Sequence, residues 1–522
     1  MKLVLISTAG NQAYVFASNR LREAVGASYL LQELTTTQVE EVCGGLGAAV
    51  LQKSSGSTLV RVPDVATARV VIEKVTTAAL RRAPGLQVLG VYVDLAAEEP
   101  SAAEVRTAFR AWHRHAGATA GASVRFQRLP AVASCRSTDL PAQAWHSDTG
   151  PRRDGSYPSG EEPQPLSAEA IAKRAARPAA TARFARLLTA DEIGDDLGLI
   201  AIDELFERVD SVAVIHADAN RLGRIFENAG DVLPRLPESI GERTTGALSR
   251  QVQQVATESF QWATQQLAEQ VGASKDLPVV PLVIGGDDLT VLIDGRFALA
   301  FSREYLRAFG EYAAAQPLLT AVVDAVTGER SVTACAGVAV VKPHFPFSAA
   351  YGLADELCRN AKVLAAAHPG THGLDMHVLL DSTLTDLAAI RAGYLVEHEG
   401  QHVELTARPY LLAAEPGISL PDGRDWAEVE PRIRTLRRAP AGLDGGVVTR
   451  SQLHALRGEV RTDPARARRR ITDLHRRCAT ELDRELLAAI GAGPSGSADD
   501  RSAAGLLDAL ELAPFADVEA TP

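Results

Sequence analysis

Apolar and polar positions along this chain fall into two stretches of similar layout. In the first, LVLIST and AYVFAS read as strands around a turn at Ala9-Gly10-Asn11, and Asn19 is placed to cap a helix through Leu34, with Leu21, Val25 and Tyr29 near one face. AAVLQKSSGSTLVRV reads as a hairpin turning at Ser54-Ser55-Gly56-Ser57, VATARVVIEKVTTAALRRA as a helix and LQVLGVYVDL as another strand. This strand–helix–hairpin–helix–strand order predicts a ferredoxin-like α/β layer.

Between Ser134 and Ser167 the pattern collapses into HSDTGPRRDGSYPSGEEPQPL, rich in Gly, Pro, Ser and charge, which predicts a linker or loop. Limited proteolysis is expected to cut first between Gln143 and Gln164; a first cut inside VAVIHAD would contradict this division of the chain. Helical patterning resumes at LSAEAIAKRAARPAATARFARLL. The second stretch then repeats the first layout: VDSVAVIHAD as a strand, NRLGRIFENA as a turn or helix, a long helix from Thr244 to Val271, and PVVPLVIGGDDLTVLIDG as a hairpin. SREYLRAFGEYAAA (helix), SVTACAGVAVVK (strand), AAYGLADELCRNAKVLAAA (helix) and LDMHVLLDST (strand) follow, and the similarity of layout suggests an internal duplication. From about Asp425 the sequence is predominantly helical, with an arginine-rich stretch RTDPARARRRITDLHRRC, a break at GAGPSGSADDRS and a last helix AAGLLDALEL. The expected division is 1–133 (first α/β unit), 134–185 (linker and connecting helix), 186–415 (second unit) and 416–522 (helical region).

Composition narrows the class. At 46% hydrophobic and 23% charged residues the 522-residue chain has ample apolar surface for several cores, and its net charge of −11 argues against nonspecific nucleic-acid binding by the whole surface. The cysteines Cys43, Cys135, Cys335, Cys358 and Cys478 are scattered without a Cys-x-x-Cys, so neither a disulfide framework nor a zinc knuckle is indicated. No apolar run reaches the roughly 18–20 residues of a membrane span, and MKLVLISTAG reads as a first strand, so a cytoplasmic placement without membrane association is expected.

The chemistry concentrates in three acids. Gly285 and Gly286 allow a tight turn and close approach of a ligand, and place Asp287 and Asp288 at a hairpin tip. Adjacent carboxylates repel each other unless a cation neutralises them, and oxygen-only ligands suit Mg²⁺ or Mn²⁺. Gly and Asp are equally at home in a solvent-exposed turn. Asp218, at the end of the strand VAVIHA, completes a candidate two-metal set if that strand lies beside the hairpin. His216, two residues earlier, shares its face, either tuning the site or simply packed. His368 and His372 are four apart, but Pro369-Gly370 breaks the helix that would align them. The arginines from Arg466 to Arg477 suit either an RNA or acidic partner or a solvated face.

HADANRLGRIF, IGGDDLTVL, TACAGVAVVKPHFP and LCRNAK, in this order, resemble the second palm domain of the large polymerase/cyclase-like subunit of type III CRISPR effector complexes, relatives of the GGDEF cyclases. NQAYVFASNRLREAVGASYLLQEL and KSSGS resemble that family's first, degenerate palm, and CRSTDLPAQ with LSAEAIAKRAAR its connecting segment. The resemblance implies two ferredoxin-like palms paired face to face as a pseudo-dimer within one chain, followed by a helical carboxy-terminal domain. It implies ATP as substrate, cyclic oligoadenylate as product in antiphage defence, and guide RNA and effector-complex subunits as partners. Carried over by position, Asp218, Asp287 and Asp288 hold the metals, with the Ala219 carbonyl as a further ligand. Leu222 and Gly223 approach the triphosphate, Lys362 meets phosphate, and Gly26, Ala27 and Ser28 face a second nucleotide, though helix packing suits these small residues equally. The chain departs from the family where Asn220 replaces a frequent second Asp, where only Cys135 stands in place of a four-cysteine zinc element, and in lacking a His-Asp dipeptide, so no HD nuclease is expected. The alternatives are a non-catalytic palm scaffold binding RNA or nucleotide, and a cyclic dinucleotide synthase like the GGDEF enzymes.

Overall fold

The computed structural model describes all residues except 19, 55, 121–129, 148–161, 189–197, 200–201, 273–275, 380–385, 399–400, 422, 442–445, 491–499 and 516–522. Its amino-terminal unit comprises β1 (Lys2–Ala9), α1 (Asn11–Val15), α2 (Leu21–Thr35), β2 (Ala49–Ser54), β3 (Ser57–Val62), α3 (Val65–Arg82) and β4 (Gln87–Asp94). The strands form one antiparallel sheet in the order β2-β3-β1-β4. Alternation along β1 sends Val4 and Ile6 into a core beneath α2 and α3, and Leu3 and Leu5 into a second core with Trp112 on the opposite face.

AYVFAS is not a strand. Gly10 is left-handed at φ 68°, and the amides of Tyr14 and Phe16 donate back to the Gly10 and Gln12 carbonyls (both 2.9 Å), closing the short helix α1. Five apolar-rich residues fit either period, and tertiary packing decided: Tyr14 and Val15 enter the first core, while Phe16 turns toward the second unit. Asn19 lies outside the described residues; Arg20 is at the amino-terminal cap of α2.

The segment read as a linker holds structure at both ends: β5 (Ala144–His146) pairs antiparallel with β6 (Gln164–Leu166), while 148–161 lie outside the described residues. The connecting helix α4 (Ala168–Leu188) is packed against α2. Its buried Lys173 donates to the Tyr14 carbonyl (2.5 Å) and Glu169 (2.6 Å), and Arg174 to the fully buried Glu23 (2.8 Å).

The second unit contains β7 (Val212–Ala219), α5 (Leu222–Val232), α6 (Thr245–Val271), β8 (Val279–Gly285), β9 (Asp288–Asp294), α7 (Ala298–Ala314), β10 (Ala334–Val341), α8 (Phe347–Ala367), β11 (Thr371–Val378) and β12 (Tyr410–Ala413). Its sheet runs β8-β9-β7-β10-β11-β12. The first four of these strands take the same places as β2-β3-β1-β4, so the duplicated layout in the sequence is a duplicated strand order in space. The units meet where the Ser249 hydroxyl donates to the Lys53 carbonyl (2.7 Å) and where Val25 of α2 joins the second core.

Helices α9 (Trp426–Arg437), α10 (Arg450–Thr462), α11 (Pro464–Arg477), α12 (Glu481–Ala489) and α13 (Asp500–Leu512) form the carboxy-terminal part. No described helix is long and apolar enough to cross a membrane. Asp508 of α13, wholly buried, accepts from Thr406 Oγ1 (2.8 Å), the Ala407 amide (2.8 Å) and Tyr410 Oη (2.6 Å), and pairs with the buried Arg408 (2.9 Å). Removing one partner of a buried ion pair strands the other's charge, so Asp508→Ala is expected to lose about 3–5 kcal/mol in denaturant unfolding.

Candidate active site

The site forms at one end of the second sheet. Residues β9 and β7 pair with Leu289 opposite Ala217 and Thr290 opposite His216, which brings Asp288 beside Asp218. Gly285 pairs with Asp288 across a two-residue turn, Gly286-Asp287, and Gly286 takes the left-handed φ of 64° that this hairpin needs. One carboxylate oxygen from each of Asp218, Asp287 and Asp288 lies within 4.8 Å of the others. The sequence therefore predicted a real convergence: three acids from two separate segments meet at one point.

Lys362 reaches this cluster from α8. Its ammonium donates to Asp218 Oδ2 and to the Ala219 carbonyl (3.2 Å). Burial alone would lower the lysine, but the Asp218 carboxylate outweighs it and holds the ammonium above its ordinary value. The hairpin acids shift in the opposite sense. Burial, then Asp218, pushes Asp288 up to about 7 even with Lys362 opposing, and burial with Asp288 and Asp218 pushes Asp287 well above the carboxylate range.

These directions give a pH prediction. The folded carboxyls bind protons more tightly than those of the unfolded chain, so without divalent ions stability falls as pH rises from about 4 to 7. A cation must displace those protons, so Mn²⁺ affinity is expected to weaken as pH falls below about 7, by up to about tenfold per unit for each proton displaced. Titrations at pH 5.5, 6.5 and 7.5 test both; a pH-independent affinity would contradict the shifted carboxyls.

A cleft of about 370 Å³ opens beside the cluster, between the two units. From the second unit it is lined by His216, Asp218, Asp288, Tyr351, Asp355, Arg359 and Lys362, among others; from the first by Gln12, Phe16 and Ser28. Phe16 lies against Tyr351 with ring centroids 4.1 Å apart, and Gln12 Nε2 donates to Tyr351 Oη (3.4 Å). His216 shares the face of Asp218 as its strand position predicts, held by Thr290 (3.2 Å), edge-on to Tyr351, and kept below its ordinary pKa chiefly by burial.

The other expected residues divide. Ser28 lines the cleft, whereas Ala27 is wholly buried in the first core, and a Cβ on Gly26 would meet the Lys173 carbonyl oxygen at 1.8 Å, the mark of a helix-packing glycine. Leu222 is buried in the second core; Gly223 is exposed in the first turn of α5, where helix amides have no intrahelical acceptor. Asn220 donates to Thr333 Oγ1 (2.7 Å) and accepts from Cys335 Sγ (3.2 Å), a structural role at the end of β7. His372 is buried and accepts from the Ala334 amide (3.2 Å).

Sequence reading missed Tyr351, Asp355 and Arg359. They and Lys362 stand at spacings of four, four and three along α8, so a helical projection from Lys362 would have found them. Gln12 and Phe16 left no comparable signal.

The cluster offers three carboxylates, all oxygen donors, which fits a hard divalent cation such as Mg²⁺ or Mn²⁺. Comparison with curated proteins finds no match. Among solved structures, the chain is similar to a Csm1–Csm4 cassette in complex with cA4 (13% identity, TM-score 0.50) and to one in complex with pppApApA (15% identity, TM-score 0.51), in each case over 98% of this chain and 69% of the other. At these identities the likeness is one of fold. Residues 211–366 match the family model described as Cas10/Cmr2, second palm domain. That span holds β7, the acid-bearing hairpin and Lys362, and it is similar to a second palm domain of the Cas10/Cmr2 type.

Proposed function

We propose that this chain is a metal-dependent nucleotidyltransferase that joins ATP into cyclic oligoadenylate, a second messenger of CRISPR-type antiphage defence in the cytoplasm. The observation that carries the reading is the convergence of Asp218, Asp287 and Asp288 at a cleft walled by both palms. The Cas10/Cmr2 palm match and the fold likeness to cassettes crystallised with cA4 and pppApApA support it. A scaffold has no physical need for clustered acids at a hairpin tip.

The residues divide the work. The three carboxylates and the Ala219 carbonyl would hold the cation; Lys362, with Arg359 one turn earlier, presents positive charge to a triphosphate; the first palm's Gln12, Phe16 and Ser28 close the cleft and restrict water. A divalent ion bound there lowers the pKa of the attacking 3′-hydroxyl and offsets charge at the α-phosphate. Two palms in one chain supply both walls, so the site needs no second copy. Effector subunits and guide RNA are the proposed partners, by the same resemblance.

Incubating purified protein with Mg²⁺ and each nucleoside triphosphate, followed by mass spectrometry of the products, tests the proposal. Cyclic oligoadenylate is expected from ATP. Cyclic dinucleotides would move the assignment to a GGDEF-like synthase, and nucleotide binding without turnover would move it to a scaffold.

A further inference from the structure

Lys362 makes its two hydrogen bonds to the Asp218 carboxylate and the Ala219 carbonyl, two of the oxygens that the donor set would offer a divalent cation. Cations bind such oxygens at about 2.0–2.6 Å, inside the distance at which an ammonium hydrogen bonds to them. Asp218 keeps a second carboxylate oxygen, so the contact alone does not exclude a cation, but the ammonium and a divalent ion repel each other and compete for the oxygens of Asp218–Ala219.

The lysine is built to leave. Its backbone is fixed on α8, which lies hard against the sheet: a Cβ on Gly337 of β10 would meet the Ala354 carbonyl oxygen at 2.0 Å. Its side chain is 29% exposed on the wall of the cleft, so a flexible four-carbon stem can swing the ammonium into that space without moving the helix.

Resting on the reading of the three acids as a cation site, we propose that Lys362 is an exchangeable counter-ion of that site. Its ammonium neutralises Asp218 and occupies the Ala219 carbonyl until a divalent cation takes those oxygens; the displaced ammonium then turns into the cleft, where a nucleotide phosphate can receive it. Cation and nucleotide binding are thereby coupled, each favouring the lysine position that the other needs. A lysine fixed in place would also repel the cation through space, so release of the ammonium on cation binding, and not affinity alone, distinguishes exchange.

The test uses the full chain without nucleotide. Mn²⁺ binding is followed by electron paramagnetic resonance for the wild type, Lys362→Met and Asp287→Ala/Asp288→Ala. Lys362→Met is expected to bind Mn²⁺ about tenfold more tightly than the wild type, within the usual range of site coupling, while the double variant loses binding. Equal or weaker binding by Lys362→Met, with the wild type binding, overturns the exchange and leaves the cation site standing. Failure of the wild type to bind Mn²⁺ overturns the cation-site reading itself. A second measurement needs no variant: acetylation of Lys362 by an amine-reactive ester, read by mass spectrometry with buried Lys173 as internal control, should rise severalfold when Mn²⁺ is added. Unchanged or reduced labelling overturns the exchange.

Discussion

Replacing Asp287 and Asp288 together by alanine is expected to abolish nucleotide polymerisation and metal-dependent nucleotide binding while leaving the protein folded. A bound cation contributes several kcal/mol of charge stabilisation at the transferring phosphate, so its loss should lower the rate by at least about a thousandfold. The fold should survive because Asp287 lies in the turn and both side chains are only half-buried, at the rim of the sheet. Their mutual repulsion and that of Asp218 already oppose ionisation, so without divalent ions the variant should melt at or slightly above the wild-type temperature. Asp218→Ala should match the loss of activity, since it removes a shared ligand. Lys362→Ala should be milder, chiefly raising the nucleotide concentration needed. Product assays beside thermal melts separate the cases: a double variant with full activity would overturn the enzyme assignment, and one that fails to fold would make the acids structural.

The acids were legible because their chemistry is local. Two glycines and two aspartates between apolar strands specify a tight hairpin whatever surrounds it, and one further assumption, that β7 lies beside β9, brings in Asp218. The strand order supplies that neighbour through the register of Thr290 opposite His216. The cleft's other wall was not legible in the same way. Phe16 and Tyr351 are 335 positions apart, and Phe16 reaches Tyr351 only because α1 is a helix, where the apolar run AYVFAS had suggested a strand. Short apolar runs carry too few residues to fix a period, so the element that the first palm extends into the site was the one least determined locally. Gly26 and Ala27 show a different ambiguity. Small residues on a helix satisfy close packing as well as close approach of a ligand, and only the Lys173 carbonyl beneath Gly26 decides between them.

The strand β10 makes a stronger demand, and it links packing to chemistry. All eight of its residues, ACAGVAVV, are buried, and small side chains in its first half let α8 settle onto the sheet. At Gly337 an added Cβ would lie 2.0 Å from the Ala354 carbonyl oxygen and 2.4 Å from the Cys358 amide nitrogen; these are backbone atoms that no rotamer change can move aside. Gly337→Ala must therefore lift α8 or buckle β10. Overpacking of this kind costs about 1–3 kcal/mol and occasionally more, and a backbone clash belongs at the upper end. The same displacement carries Tyr351, Asp355, Arg359 and Lys362 away from Asp218, because all four ride on that helix. The expected result is a loss of about 3 kcal/mol in denaturant unfolding, accompanied by reduced product formation at temperatures where the variant is still folded. This separates it from Asp287→Ala/Asp288→Ala, in which activity falls without stability. A Gly337→Ala protein with wild-type stability would show that α8 does not approach the sheet this closely, and the positions assigned to Lys362 and its neighbours would fall with it.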